Sequence, residues 1–180
     1  MKDKLIEILP EFLMIKESEL MDKVINVWQE AINEGGWSIE DLESMPFTHT
    51  IKNCPVSIID HTRAVTKSAH KSAVEMEHLY KDKLKINNDV VIAGALLHNT
   101  EKLLKYKKEG NNFILSSSGK SIRDLSDIKV LADKFNINDE MLHCIENSSN
   151  EGDSLKRTAE CIIINKADLM NFEVVRCFYE

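Results

Sequence analysis

From Val90 the chain runs Val-Val-Ile-Ala-Gly-Ala-Leu-Leu and then turns abruptly polar at His98-Asn99, with Glu101 and Lys102 close behind. No side chain between Val90 and Leu97 carries a charge or a hydrogen-bonding group. A helix built from this run has no face to offer water, so it must lie in the middle of whatever the chain folds into. A polar dipeptide carried into a core by such a helix is costly unless it is hydrogen-bonded or bound to something. The rest of the chain has to supply elements that surround this segment and partners that satisfy His98 and Asn99.

Helical periodicity recurs on both sides of it. Leu5, Ile8, Leu9, Phe12 and Leu13 form one stripe, which Pro10 is expected to kink or restart. Leu20, Val24, Val27, Trp28, Ala31 and Ile32 form a second, stopped by Gly35-Gly36. Ser38-Ile-Glu-Asp41 has the form of a capping box with Asp in place of Glu, opening a short helix that Pro46 closes. Residues 1–46 thus read as a helical prop or lid without chemistry of its own, and 47–180 as the core of the same single domain. Phe47–Pro55 is an irregular crossing whose lone His49 reads as a solvated side chain.

Pro55 suits the first turn of a helix that reaches about Lys81, with Ile58, Val65, Ala69, Met76 and Leu79 on its buried stripe. An asparagine of Asn87-Asn88, or Asp89, caps the central helix. A hairpin with its turn at Gly110-Asn111-Asn112 is the sole strand signal. Ser116–Gly119 reads as a short flexible connection, followed by a helix over Ser121–Phe135. Asn138 or Asp139 then caps a helix ending near Asn147. Ser149–Ser154 reads as a polar loop, and a last helix spans about Lys156 to Tyr179. The fold class is all-α, a helical bundle with at most a small hairpin.

Two more residues join His98 on inward faces. His61 shares the stripe of Ile58 and Val65, whereas His70 and His78 fall off it. Asp168 recurs with Cys161, Ile164, Phe172 and Val175, inside an apolar stripe. A buried lone carboxylate costs several kcal/mol unless a cation or hydrogen-bond donors compensate it. Lys166 and Arg176 are not one helical turn away and so are poor compensators. Imidazole and carboxylate converging from three helices are ordinary ligands for a divalent transition metal.

The same residues carry a resemblance. Ala-Leu-Leu-His-Asn-Thr-Glu-Lys-Leu-Leu is similar to the Ala-Leu-Leu-His-Asp-x-Gly-Lys-Leu-Leu signature of the HD-domain superfamily of metal-dependent phosphohydrolases, with Asn99 at the place of the namesake aspartate. Asp60-His-Thr-Arg-Ala-Val-Thr resembles the first His motif. Arg157-Thr-Ala-Glu and Lys166-Ala-Asp-Leu-Met-Asn-Phe-Glu resemble the terminal motif of one branch of that superfamily. The resemblance spans about Phe47 to Phe178 and implies a metal set of His61, His98, Asn99, Asp168 and Asp124. Asn147 stands at a further ligand position, and Lys102 or Arg63 would bind a phosphate. His98, Asp168 and Lys102 are the implied catalytic groups. Glu101 replaces the usual small glycine, so it, Asp60 or Glu146 is a candidate to restore the charge lost at Asn99. The implied cofactor is one weakly bound divalent ion (Mn, Fe, Ni, Zn or Mg), or none.

The reading that follows is a degenerate member binding a small phosphorylated or anionic ligand in the His61/His98/Asp168 pocket. The alternatives are an active single-metal phosphohydrolase of small phosphoesters or nucleotides, and a metal-free acid–base enzyme. A purely structural partner protein would not need a buried aspartate. A net charge of −7 and a pI near 5.4 argue against nucleic acid or an anionic membrane as partner. No run reaches a membrane span and no signal-peptide core opens the chain. Cys54, Cys144, Cys161 and Cys177 lack Cys-x-x-Cys spacing, as expected for reduced thiols in a cytoplasmic protein. A homodimer through Trp28 or Trp37 is the remaining expectation.

Overall fold

A computed structural model describes residues 1–110, 112–116, 126–147 and 156–180. The chain is mostly helical with one two-stranded hairpin, as its periodicity predicts. Helix α1 (Lys2–Ile8) stops at Leu9, and Pro10 opens a separate 3-10 turn, Pro10–Met14. Helix α2 (Ser18–Gly35) buries Leu20, Val24, Ile25, Val27, Trp28, Ala31 and Ile32, and ends on Gly36 with φ +69°. Gly35 is required by packing, because a Cβ there would run into the Trp37 indole and the Leu103 carbonyl. Helix α3 (Ile39–Ser44) opens with the expected box, Ser38 Oγ accepting from Asp41 N and the Asp41 carboxylate from Ser38 N.

Helix α4 (Ile58–Tyr80) begins three residues later than Pro55 suggests. A second capping box decides the start: Ser57 Oγ accepts from Asp60 N at 3.0 Å, and the Asp60 carboxylate returns to Ser57. Before it, Ser57 pairs with Pro46 in an isolated bridge that keeps this stretch extended. The stripe expected on α4 holds through Ala73 and then fails, since Met76 and Leu79 are exposed. Among the described residues the helix outlasts the elements packed on it.

Helix α5 (Asn88–Leu97) is the hub, with every residue from Val90 to Leu97 buried. Asn87 is its cap, accepting from Val90 N, while Asp89 turns away to accept from Lys16 N and Glu17 N ahead of α2. Short α6 (Lys102–Lys105) leads into β1 (Tyr106–Glu109), paired antiparallel with β2 (Asn112–Leu115) around Gly110 at φ +61°. Helices α7 (Ser126–Lys134), α8 (Asp139–Asn147) and α9 (Ala159–Tyr179) complete the described chain. Asn138 caps α8 and Thr158 caps α9. Helices α2, α4, α8 and α9 all pack on α5. Gly94 permits the closest of these approaches, for a Cβ would lie 2.7 Å from Ile164 Cδ1. Asp124, Asn111, Ser117–Gly119 and the loop Ser149–Ser154 lie outside the described residues.

Trp28 and Trp37, expected as exposed interface groups, are buried instead. Their indole N–H groups donate to Leu96 O and Leu103 O, at 2.9 and 2.7 Å. They tie the N-terminal helices to the two ends of the His98 turn. All four thiols are free. Among the described residues, no helix is long and apolar enough to cross a membrane.

Candidate metal centre

His98 follows the last residue of α5 with helical backbone angles, φ −57° and ψ −21°, so the buried helix carries it directly to the cleft. Its Nδ1 lies 2.6 Å from Ala95 O, an acceptor, so Nδ1 holds the proton and Nε2 is left with a lone pair. That lone pair accepts from the Asn99 side-chain amide at 2.6 Å. Thr100 steadies the turn by donating from Oγ1 to Leu97 O at 2.8 Å. His61 enters from the first turn of α4, and the Phe47 ring stacks on it with centroids 3.9 Å apart and planes 15° from parallel. Asp168 comes from the middle of α9.

The three groups meet. His61 Nε2 and Asp168 Oδ1 are 2.9 Å apart, His98 Nε2 and the same oxygen 3.6 Å, and the two imidazole centroids 5.5 Å. Their candidate ligand atoms all lie within 4.8 Å of one another, close enough to share one ion. Among the described residues no carboxylate of Asp60, Glu101 or Glu146 joins this group.

Electrostatics separate the partners. Asp168 is an acceptor, so His61 donates from Nε2, and its Nδ1 becomes a buried lone pair with no hydrogen-bond partner among the described residues. Burial holds the His61 imidazole down at about 4, against the pull of the Asp168 carboxylate, so the ring is neutral near pH 7. Burial pushes the Asp168 carboxyl up, yet the His61 N–H and the neighbouring His98 ring more than offset it and hold it below the usual range. Asp168 keeps 29% of its side chain exposed, which marks the open side of the site.

A cleft of about 250 Å³ lies over the group, lined by Phe47, Thr48, Thr50, His61, Asn99, Lys102, Asn165, Asp168, Leu169 and Phe172. Lys102 is in the wall, where Nζ donates to Phe47 O at 2.7 Å and burial lowers its pKa. The structure therefore gathers His61, His98, Asn99, Asp168 and Lys102. Among the described residues, Arg63, Glu101 and Asn147 stay outside the cleft lining. Arg63 turns into a separate groove beside Lys4 and Asp60, its Nε donating to the buried Glu11 carboxylate at 3.2 Å. Glu101 is the N-cap of α6 and is not in the cleft lining. Asn147 closes α8, donating to His143 O and accepting from Arg157 Nε at its own carbonyl.

Sequence reasoning missed Phe47, Thr48, Thr50, Asn165, Leu169 and Phe172 as cleft residues. Asn165 had a usable signal, a buried amide one helical turn before Asp168 on the same stripe. Phe47, Thr48 and Thr50 had none, since an irregular crossing has no period from which to read a face. His49, by contrast, is exposed and stacks on Tyr106, with centroids 4.4 Å apart.

Fold and site together define a mostly helical protein with a buried His–His–Asp group able to hold a metal ion. The sequence is 36% identical over 107 residues to dihydroneopterin 2',3'-cyclic phosphate phosphodiesterase of Methanocaldococcus jannaschii, a match covering 55% of this chain and 41% of that protein. The chain is thus a distant homologue of a phosphodiesterase over part of its length. No protein-family profile matches it, and no solved structure does.

Proposed function

We propose that this protein binds a small phosphorylated or anionic ligand in the His61/His98/Asp168 cleft, with a metal site weakened by Asn99. One observation carries the reading: the Asn99 amide already occupies the Nε2 lone pair of His98. An aspartate at that place would set a carboxylate oxygen against the lone pair, two acceptors with nothing between them. A cation relieves such a conflict. Asparagine relieves it with its own N–H, and the centre is then complete without an ion.

The cleft suits an anion. Lys102 supplies the positive charge, Thr48 and Thr50 hydroxyl donors, and Asn165 an amide, between the rings of Phe47 and Phe172. The relative's activity narrows the class to a small phosphoester, a cyclic phosphodiester in particular. Arg63, Glu101 and Asn147 have no part in this binding, and Asp124 lies outside the residues on which it rests.

A single-metal phosphohydrolase is the second reading, favoured by the convergence of His61, His98 and Asp168 and by the relationship to a phosphodiesterase. Those three residues and the Asn99 amide oxygen would hold the ion, drawn from Mn, Fe, Ni, Zn or Mg. When bound, it would supply charge neutralisation for the phosphoryl group and an activated water. A metal-free acid–base enzyme using His98 and Asp168 is a further alternative. Metal analysis of protein purified without chelator, beside a phosphoester panel that includes a 2',3'-cyclic phosphodiester, separates these readings. The expected result is phosphate binding without stoichiometric metal. One equivalent of tightly held metal together with turnover by the natural chain would overturn it.

A further inference from the structure

Two of the four thiols meet where α8 packs on α9. Cys144 lies in the middle of α8 and Cys161 in the first turn of α9, and both are fully buried. Thr158, the N-cap of α9, touches both residues: its Oγ1 is 3.8 Å from Cys144 Sγ and accepts from Cys161 N at 3.2 Å. Helix α5 backs the contact closely, since a Cβ on Gly94 would come within 3.4 Å of Cys144 Cβ. The Cys144 thiol donates to the Cys161 sulfur, and so does the Arg157 guanidinium.

A cysteine that only fills core space needs no such company, because apolar packing satisfies it. Here a helix N-terminus, a cation and a second thiol converge on one sulfur, and each favours its thiolate. The Cys144 hydrogen bond, with Arg157 beside it, holds Cys161 below the ordinary thiol range against burial. The same bond and burial push the Cys144 thiol up. Arg157 and Thr158 are only half-buried, so one side chain separates the pair from the surface on that side. We infer that Cys144 and Cys161 are an oxidisable dithiol, which a hydroperoxide closes to a disulfide between α8 and α9. The Cys161 sulfur bonds one peroxide oxygen, the O–O bond breaks and hydroxide leaves, giving a sulfenic acid. The Cys144 sulfur then attacks that of Cys161, and the S–O bond breaks with loss of a second hydroxide. The two thiol protons turn both hydroxides into water, so two thiols and one hydrogen peroxide become one disulfide and two waters. A bond of about 2.0 Å replaces the hydrogen bond. It locks α9 to α8 about two turns ahead of Asp168.

One equivalent of hydrogen peroxide added to the reduced 180-residue chain, free of ligand and metal, tests this independently of what the cleft binds. The intact mass should fall by two hydrogens, and the tryptic peptides holding Cys144 and Cys161 should become linked. Cys54 and Cys177 should still take up iodoacetamide once the quenched protein is unfolded, and dithiothreitol should reverse the change. Cys144→Ser should stall the reaction at a Cys161 sulfenic acid that dimedone captures. In Cys161→Ser, dimedone should label Cys144 more slowly by on the order of tenfold. Circular dichroism checks that each variant keeps the helicity of the natural chain, and the peptide map of the natural chain decides should either fail to fold. A natural chain whose Cys144 and Cys161 stay unlinked until urea unfolds it would overturn the inference. So would a disulfide that takes in Cys54 or Cys177 instead, or equal dimedone labelling of the two variants.

Discussion

The end of α5 and the first turn of α4 each deliver a buried histidine to the same cleft and hold it in opposite ways. His98 is braced from behind: its Nδ1–H is fixed on Ala95 O, and Trp28 holds the adjacent Leu96 carbonyl. Its Nε2 lone pair is thereby aimed at the centre, the direction a metal-ligating imidazole needs, with the Asn99 amide as the group an ion would have to displace. His61 is braced by the face of Phe47, and its proton is on the cleft side, given to Asp168. To bind an ion, His61 would have to move that proton to Nδ1, where no acceptor waits among the described residues. An unpaired buried donor costs about 1–3 kcal/mol. Equal burial and equal residue type therefore do not make equal ligands; what stands behind each ring decides.

The largest test of this contrast acts on the His98 side. Unit charges at about 4 Å are worth roughly 4 kcal/mol at an effective dielectric of 20. Asn99→Asp should thus raise affinity for a divalent ion by roughly two to four decades in calorimetric titration with manganese or zinc. Natural protein that binds as tightly as the variant would remove the contrast.

Acid acts on the other side. His61 falls from 6.5 to about 4 on folding, so between those values the unfolded chain binds more protons and stability declines as pH falls. The loss in metal-free protein should be on the order of 3 kcal/mol by pH 4, read from urea melts, with His61→Phe removing most of the slope. Asp168, also lowered by folding, adds a further loss below its ordinary 3.8. A flat profile would mean that His61 is not held neutral.

Asp168→Ala takes away the acceptor of the His61 proton and should cost about 1–3 kcal/mol of stability. Imidazole ¹⁵N spectra should show His61 changing while His98 keeps its Nδ1–H form. An equal response of both rings would contradict their separate bracing. The smallest effect is expected from Lys102→Met, which leaves both rings untouched and should weaken inorganic phosphate binding roughly tenfold. Unchanged binding would assign the anion to the amides and hydroxyls instead.

Much of this site was legible because its key residues sit on regular helices. His61 and Asp168 interrupt apolar stripes of constant period, and His98 ends a run that could only be buried, so each direction follows from helical geometry. The same logic failed at the far end of α4, where Met76 and Leu79 continue the stripe but are exposed among the described residues. Trp28 sits on the stripe that the period of α2 predicts, but an interface role for either tryptophan fails, because distant carbonyls satisfy both indole N–H groups inside the core. Arg63 lies close to His61 in sequence, yet the buried Glu11 claims it from across the chain.

Taken alone, then, the order of residues settled the helices, their caps and the burial of Val90–Leu97, because these depend on side chains a turn apart. It also placed two imidazoles and a carboxylate on inward faces. Which ring nitrogen carries each proton, that Asn99 fills the lone pair of His98, and that Phe47 and Lys102 wall the cleft were decided by tertiary structure. Those facts depend on carbonyls, rings and carboxylates brought together from distant parts of the chain, and no local period encodes such meetings.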